Sequence, residues 1–202
     1  MKLVDIIRKR SSVRYYKNKR VPSGILLKIL EAGRWGPSLA TIQPSVFIVV
    51  SKKEIKNKVC EIVDKRLKKL GIGGRIVFMP TTMKAIRSAP LLIFIYNSGK
   101  FRNLISKFVK FVNVTKSNKY VKIAEQAEIS AISAAIQNMI LLIEEFRLGS
   151  CWLHMPLYCE QEINKLLGIK NKLIAILALG YPAEKGRRSA RKSFSDLVRF
   201  IN

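Results

Sequence analysis

The stretch Pro37-Ser-Leu-Ala-Thr-Ile-Gln-Pro44 runs almost directly into Val46-Phe-Ile-Val-Val50, with only Ser45 between them. Prolines punctuate both ends of the first segment, which makes it a loop. The β-branched content of the second makes it a buried strand. Upstream, Ile25, Leu26, Ile29 and Leu30 share one face of a helix over Gly24 to Arg34. Ser23 is placed to cap that helix, and Gly33, Gly36 and Pro37 to end it. A loop between a helix and a buried strand can present backbone N–H and C=O groups to a ligand. Here Ser38, Thr41 and Gln43 add side-chain groups.

Working outward, residues 3–9 read as a short helix. Ser51-Lys-Lys-Glu54 is a capping box, so a helix begins there, with Ile55, Val59, Ile62, Val63, Leu67 and Leu70 on its apolar face. Gly71, Gly73 and Gly74 stop it. Residues 81–88 read as a turn of helix or a loop, and Leu91 to Tyr96 as a second buried strand. A long helix is predicted from about Ala124 to Phe146, because Ile129, Ile132, Ile136, Met139, Ile140, Ile143 and Phe146 recur at helical spacing. Small residues surround that row, so the helix can be buried on several sides. After Gly149 the pattern predicts a strand over 150–155, a helix over 161–167 and a strand over 173–179. Gly180-Tyr-Pro182 then turns the chain into a basic extension, 183–202. Strands separated by helices imply a central sheet with helices on both faces, in a single domain over 1–202.

The chain has 202 residues, 49% of them apolar, enough for a core. No apolar run approaches the roughly 20 residues of a membrane span, and the N-terminus lacks the apolar region of a signal peptide. Cys60, Cys151 and Cys159 are odd in number and include no C-x-x-C spacing. They read as free thiols in a reducing cytoplasm rather than a zinc or disulfide framework. A balance of 38 Lys+Arg against 13 Asp+Glu gives a net charge of +25, which attracts anions without specifying a fold. Between Ser98 and Lys122 lies a basic amphipathic insertion with Phe101, Leu104, Ile105, Phe108, Phe111 and Val112 on its apolar side. It reads first as a lid, with a partner helix or a membrane-surface helix as alternatives.

Three segments carry candidate chemistry. In Arg10-Ser11-Ser12-Val13-Arg14, alternate side chains of an extended chain share a face, which puts two guanidiniums and a hydroxyl together. That set suits a phosphate or another polar, anionic edge. The Pro37–Pro44 loop is the second. Arg187-Arg188 with Arg191-Lys192, after the last strand, is the third and could clamp a phosphate. Each alone is matched by an ordinary basic stretch or connection.

Taken in order, R-x-S-x-R, then P-S-x-x-x-x-Q-P before V-F-I-V-V, the Ala/Ile-rich helix ending in Leu148-Gly-Ser-Cys-Trp152, Leu179-Gly-Tyr-Pro182 and Arg191-Lys192 resemble the nitroreductase family. The resemblance covers the N-terminal fifty residues and about 125–198. It implies an α+β, three-layer fold, a central mixed β-sheet flanked by helices, in an intertwined homodimer with flavin mononucleotide (FMN) at the interface. It also implies hydride passing from NAD(P)H through the flavin to a small organic acceptor such as a nitro-aromatic or quinone. The flavin carries the chemistry in such a scheme, so no side-chain nucleophile is expected. By position, Arg10, Ser11, Ser12 and Arg14 would hold phosphate, ribityl and pyrimidine groups. Pro37, Ser38, Thr41 and Gln43 would lie along the ring, Leu153 and His154 would offer backbone near it, and Arg191, Lys192 and Lys84 would meet the phosphate.

The family pattern has Asn and Trp where this chain has Thr41 and Ser45. A hydroxyl at 41 replaces an amide that both donates and accepts, which implies altered flavin tuning. His154, the single histidine, reads as structural rather than as a proton donor. The competing class is a basic dimeric binding protein for nucleic acid or anionic membrane with a vestigial flavin site. It rests on charge alone, since no helix-turn-helix or zinc-finger pattern occurs.

Overall fold

A computed structural model describes residues 2–38, 41–69, 79–113, 117–186 and 188–201. Leu70 and the glycines expected to end its helix therefore lie outside the described residues, as does Arg187 of the expected clamp.

The elements run α1 (Leu3–Lys9), α2 (Ser23–Arg34), β1 (Ser45–Val50), α3 (Lys53–Lys69), α4 (Met79–Ser88) and β2 (Leu91–Asn97). They continue with α5 (Lys100–Phe111), α6 (Ser117–Glu145), β3 (Gly149–Leu153), a 3-10 turn (Met155–Cys159), α7 (Glu160–Leu167), β4 (Lys172–Gly180) and α8 (Phe194–Leu197). The four strands lie in the order β1-β2-β4-β3. Every ladder between them is antiparallel, so the four-stranded sheet is antiparallel where a mixed one was expected; among the described residues a parallel pairing occurs outside these strands, as the isolated Ser12–Ser150 bridge.

Alternation within β2 explains the layers. Leu92, Phe94 and Tyr96 pack with α3, α4 and α7 on one face of the sheet. Leu91, Ile93 and Ile95 pack with α2 and α6 on the other. A strand covered on both faces must be apolar at every position, which is why Leu91 to Tyr96 is an unbroken run rather than an alternating one.

Several expectations are corrected in detail. Ser23 is the first residue of α2, not its cap; Pro22 holds the cap position without a side-chain bond, and a proline's fixed φ and missing N–H suit a helix start. Residues 81–88 belong to a full helix. The third strand ends at Leu153 rather than 155, because His154 leaves extended geometry and a 3-10 turn follows. The long helix starts at 117 rather than 124. Its first turns were masked by the charges of Lys119 and Lys122, both exposed. By length and composition α6 could cross a membrane, yet Ile132, Ile136, Met139 and Ile143 are fully buried against the sheet and α2.

Candidate functional site

After α1 the chain runs extended along the start of β3. Val13 N–H donates to Ser150 O at 2.9 Å, and Ser12 bridges Ser150. Gly149 permits this approach, since a Cβ there would stand 2.7 Å from Val13 Cβ. Lys17 N–H donates to Tyr181 O and Ala183 N–H to Tyr15 O, at 2.8 and 2.9 Å. The buried Tyr16 hydroxyl lies 2.6 Å from Val13 O and 3.1 Å from Ala178 O; burial holds its phenol well above the ordinary value. Val13 and Tyr16 are therefore anchors, and the residues between them are free to face outward.

Arg14, the first of them, faces a cleft of about 860 Å³. Arg10, Ser11, Ser12 and Arg14 line it from the extended segment, Arg8 from α1, and Thr81 and Lys84 from α4. Glu184, Lys185, Arg188 and Arg191 close it from the chain after β4. Glu184 is the one carboxylate among these, and it accepts the Arg14 backbone N–H at 2.9 Å rather than pairing a guanidinium. Lys84 Nζ sits 4.2 Å from the centre of the Tyr15 ring. Arg191 donates to Ser189 O at 3.2 Å and to the Ser189 hydroxyl. Burial raises the Cys151 thiol behind this wall, against the opposing pull of Arg14 and Arg10. Concentrated guanidinium charge with hydroxyls among it is an arrangement for a phosphate ester.

The proline-bounded loop lies elsewhere. Pro37, Ser38 and Gln43 line a smaller, largely apolar cleft of about 360 Å³ with Phe47 of β1 and Ala131 and Ala135 of α6. Gly36 lets the loop press on α6, since a Cβ there would meet the Ala135 Cα at 2.7 Å. Thr41 and Gln43 both hold left-handed backbone, with φ of 55° and 48°, a conformation that costs a β-branched residue most.

The structure thus gathers Arg10, Ser11, Ser12, Arg14, Lys84 and Arg191 into one cleft and sets Pro37, Ser38 and Gln43 in another. Lys192 is exposed and lines neither. Leu153 is buried at the end of β3, and His154 beyond it stacks on Trp152 with ring centroids 5.4 Å apart. Neither lines either of these two clefts, and desolvation lowers His154 below the ordinary histidine value. Arg8, Thr81 and Lys185 were not legible as site residues. Arg8 sits in a helix whose facing is invisible without its packing, and Thr81 and Lys185 carry no motif.

The two clefts flank opposite edges of the sheet. The Arg10 segment follows β3, and the loop feeds β1. Three strand spacings, about 14 Å, lie between those edges.

A family model described as the Nitroreductase family matches residues 7–181. YfhC of Bacillus subtilis (strain 168), a protein named for an NAD(P)H nitroreductase, is 26% identical over 96% of this chain and 94% of its own length. Human iodotyrosine deiodinase 1 is also 26% identical over 90% of the chain, which spans 61% of that longer protein. A crystal structure of a BluB-like flavoprotein from Clostridium difficile 630 superposes over the whole of both chains, with a TM-score of 0.84 and 25% identity.

Proposed function

This chain belongs to the nitroreductase family and is an oxidoreductase of it, and from that premise we propose that it is a homodimeric FMN enzyme passing hydride from NAD(P)H to a small organic acceptor. The observation that carries the reading is the cleft that unites Arg10, Ser12, Arg14, Lys84 and Arg191. These donors fit the phosphate monoester and polyol of FMN. They do not provide the glycine-rich turn that a dinucleotide pyrophosphate requires. Bound FMN would supply the hydride transfer itself.

The residues of this chain bind, orient and cover. Arg10 and Arg191 would neutralise the phosphate, and Ser12 and Arg14 would hold the polar groups between phosphate and ring. The loop of the same protomer, about 14 Å of sheet away, leaves the ring side of this cleft without Pro37, Ser38 and Gln43. A second copy, related by a two-fold axis, can bring its own loop there. That separation supports a flavin shared between two protomers. The exposed Leu104, Phe108 and Phe111 of α5 suit a lid that keeps water from the reacting groups. Three buried free thiols, Cys60, Cys151 and Cys159, agree with a reducing compartment such as the cytoplasm.

The test is direct. Purified protein is expected to carry a flavin absorbance band and to release FMN on heating. Stoichiometric FAD, or a colourless protein that FMN does not titrate, would overturn the proposal. In the same titration Arg10→Ala is expected to weaken FMN binding by about one to two decades, the loss of one charge-assisted contact. Lys192→Ala, which removes a charge outside the cleft, is expected to weaken it less.

A further inference from the structure

A third cleft, of about 910 Å³, opens on the other side of the same extended segment. Arg14 faces the first cleft and its neighbour Tyr15 faces this one. Lys17, Lys19, Arg20, Lys53, Lys56 and Arg87 line it, and no Asp or Glu is among its lining residues. None of the six forms an ion pair with a carboxylate among the described residues.

Lys56 is the telling member. It is only 6% exposed, and its ammonium donates to Ala89 O at 2.5 Å. A buried ammonium held by a neutral carbonyl is costly unless further charge of opposite sign is available. Burial and the adjacent Lys53 both push it below the ordinary lysine value. The starts of two helices also border the cleft, at Ser23 of α2 and Lys53 of α3. The first turn of α2 carries no acidic residue to offset its N-terminal partial charge. In the first cleft Glu184 offsets some of the positive charge; here no lining residue does, and the acidic residue of the α3 first turn, Glu54, lies outside the lining.

We propose that this cleft binds a small, multiply charged phosphate compound of oligophosphate or nucleotide size, independently of the first cleft. Six cations around a concave volume of this size exceed what a single phosphate can occupy. The walls come from four separate stretches of chain, which favours a compact ligand over a polymer. Tyr15, 44% exposed and with Lys84 Nζ over its ring, adds an aromatic side chain to the lining that a nucleobase could meet. The two clefts share no lining residue, so the inference does not rest on the function proposed above.

The test uses inorganic tripolyphosphate, titrated calorimetrically into full-length protein with excess FMN present to occupy the first cleft. Two double variants are compared with wild type: Lys53→Gln with Arg87→Gln, and Lys58→Gln with Lys65→Gln. All four side chains are exposed, and both pairs remove the same charge, but only the first pair lines the cleft. The expected result is one saturable site per protomer in wild type. It should weaken at least about tenfold in the first variant and no more than about twofold in the second. Equal weakening in both variants, or no saturable binding to wild type, would overturn the proposal. So would a single-stranded oligothymidylate that binds through Lys53 and Arg87 while tripolyphosphate does not bind.

Discussion

Thr41 combines two features that only the three-dimensional structure joins. It stands where the family pattern carries Asn, and its φ is 55°. Asn tolerates left-handed backbone far better than a β-branched residue does. Thr41→Asn is therefore expected to stabilise the protein by about 1 kcal/mol, read as a raised denaturation midpoint. Under the proposed function, in which position 41 meets the polar edge of a bound flavin, an amide there also adds a donor. The flavin midpoint potential is then expected to rise by about 30–60 mV, the equivalent of one hydrogen bond to a charged group. An unchanged denaturation midpoint would remove the backbone argument, and an equal or lower potential the electronic one. The three thiols give a second prediction at this scale. All are buried, and burial raises each above the ordinary value, Cys159 to about 11. Native protein at pH 8 should react with a thiol reagent far more slowly than unfolded protein, which should expose all three. A raised folded-state pKa keeps its stabilising contribution below the unfolded value and loses it as pH rises. Urea midpoints should accordingly fall between pH 9 and 11, less steeply in Cys159→Ala. Rapid native labelling, or a flat alkaline profile, would contradict this.

Elements hold one another through a few polar contacts in an otherwise apolar core. Glu128 of α6 is 2% exposed. Its carboxylate accepts from Asn97 Nδ2 at 2.9 Å, Phe101 N–H at 2.7 Å and Arg102 N–H at 3.3 Å. The start of α5 has no side-chain cap of its own, because Gly99 occupies the cap position. A residue 27 positions along the chain does that work. Glu128→Ala would leave buried donors unsatisfied and is expected to cost about 1–3 kcal/mol. Proteolysis within Lys100–Phe111 should accelerate more than elsewhere; uniform acceleration, or none, would show that α5 is held by its apolar face alone. The existence and type of α2 and α6 were legible from helical spacing, and those of β1, β2 and β4 from short apolar, β-branched runs. The contacts of Glu128 were not, because a carboxylate on an apolar helix looks the same in sequence whether it is solvated or caps another helix.

At the scale of the whole molecule, the candidate site lies at two edges of one sheet, and α8 and the chain after it expose Phe194, Leu197, Phe200 and Ile201. Both features support the proposed homodimer. Sedimentation is expected to give particles of about twice 23.0 kDa at every concentration that keeps the native fold, with an interface above roughly 2,000 Å². Particles of monomer mass with native circular dichroism would contradict it. What the sequence alone determined is most of the strands and long helices, together with Arg10, Ser12, Arg14 and Arg191 as candidates that the structure gathers in one cleft. Alternation, helical spacing and an ordered series of short motifs are local properties that a linear chain displays. Only the tertiary structure decided that Arg10 and Pro37 belong to different clefts, that Arg8 and Thr81 join the first, that Lys192 leaves it, and that six scattered cations face one another. Those facts depend on strand order and on which helix face meets the sheet, and residues far apart in sequence carry no local sign of either.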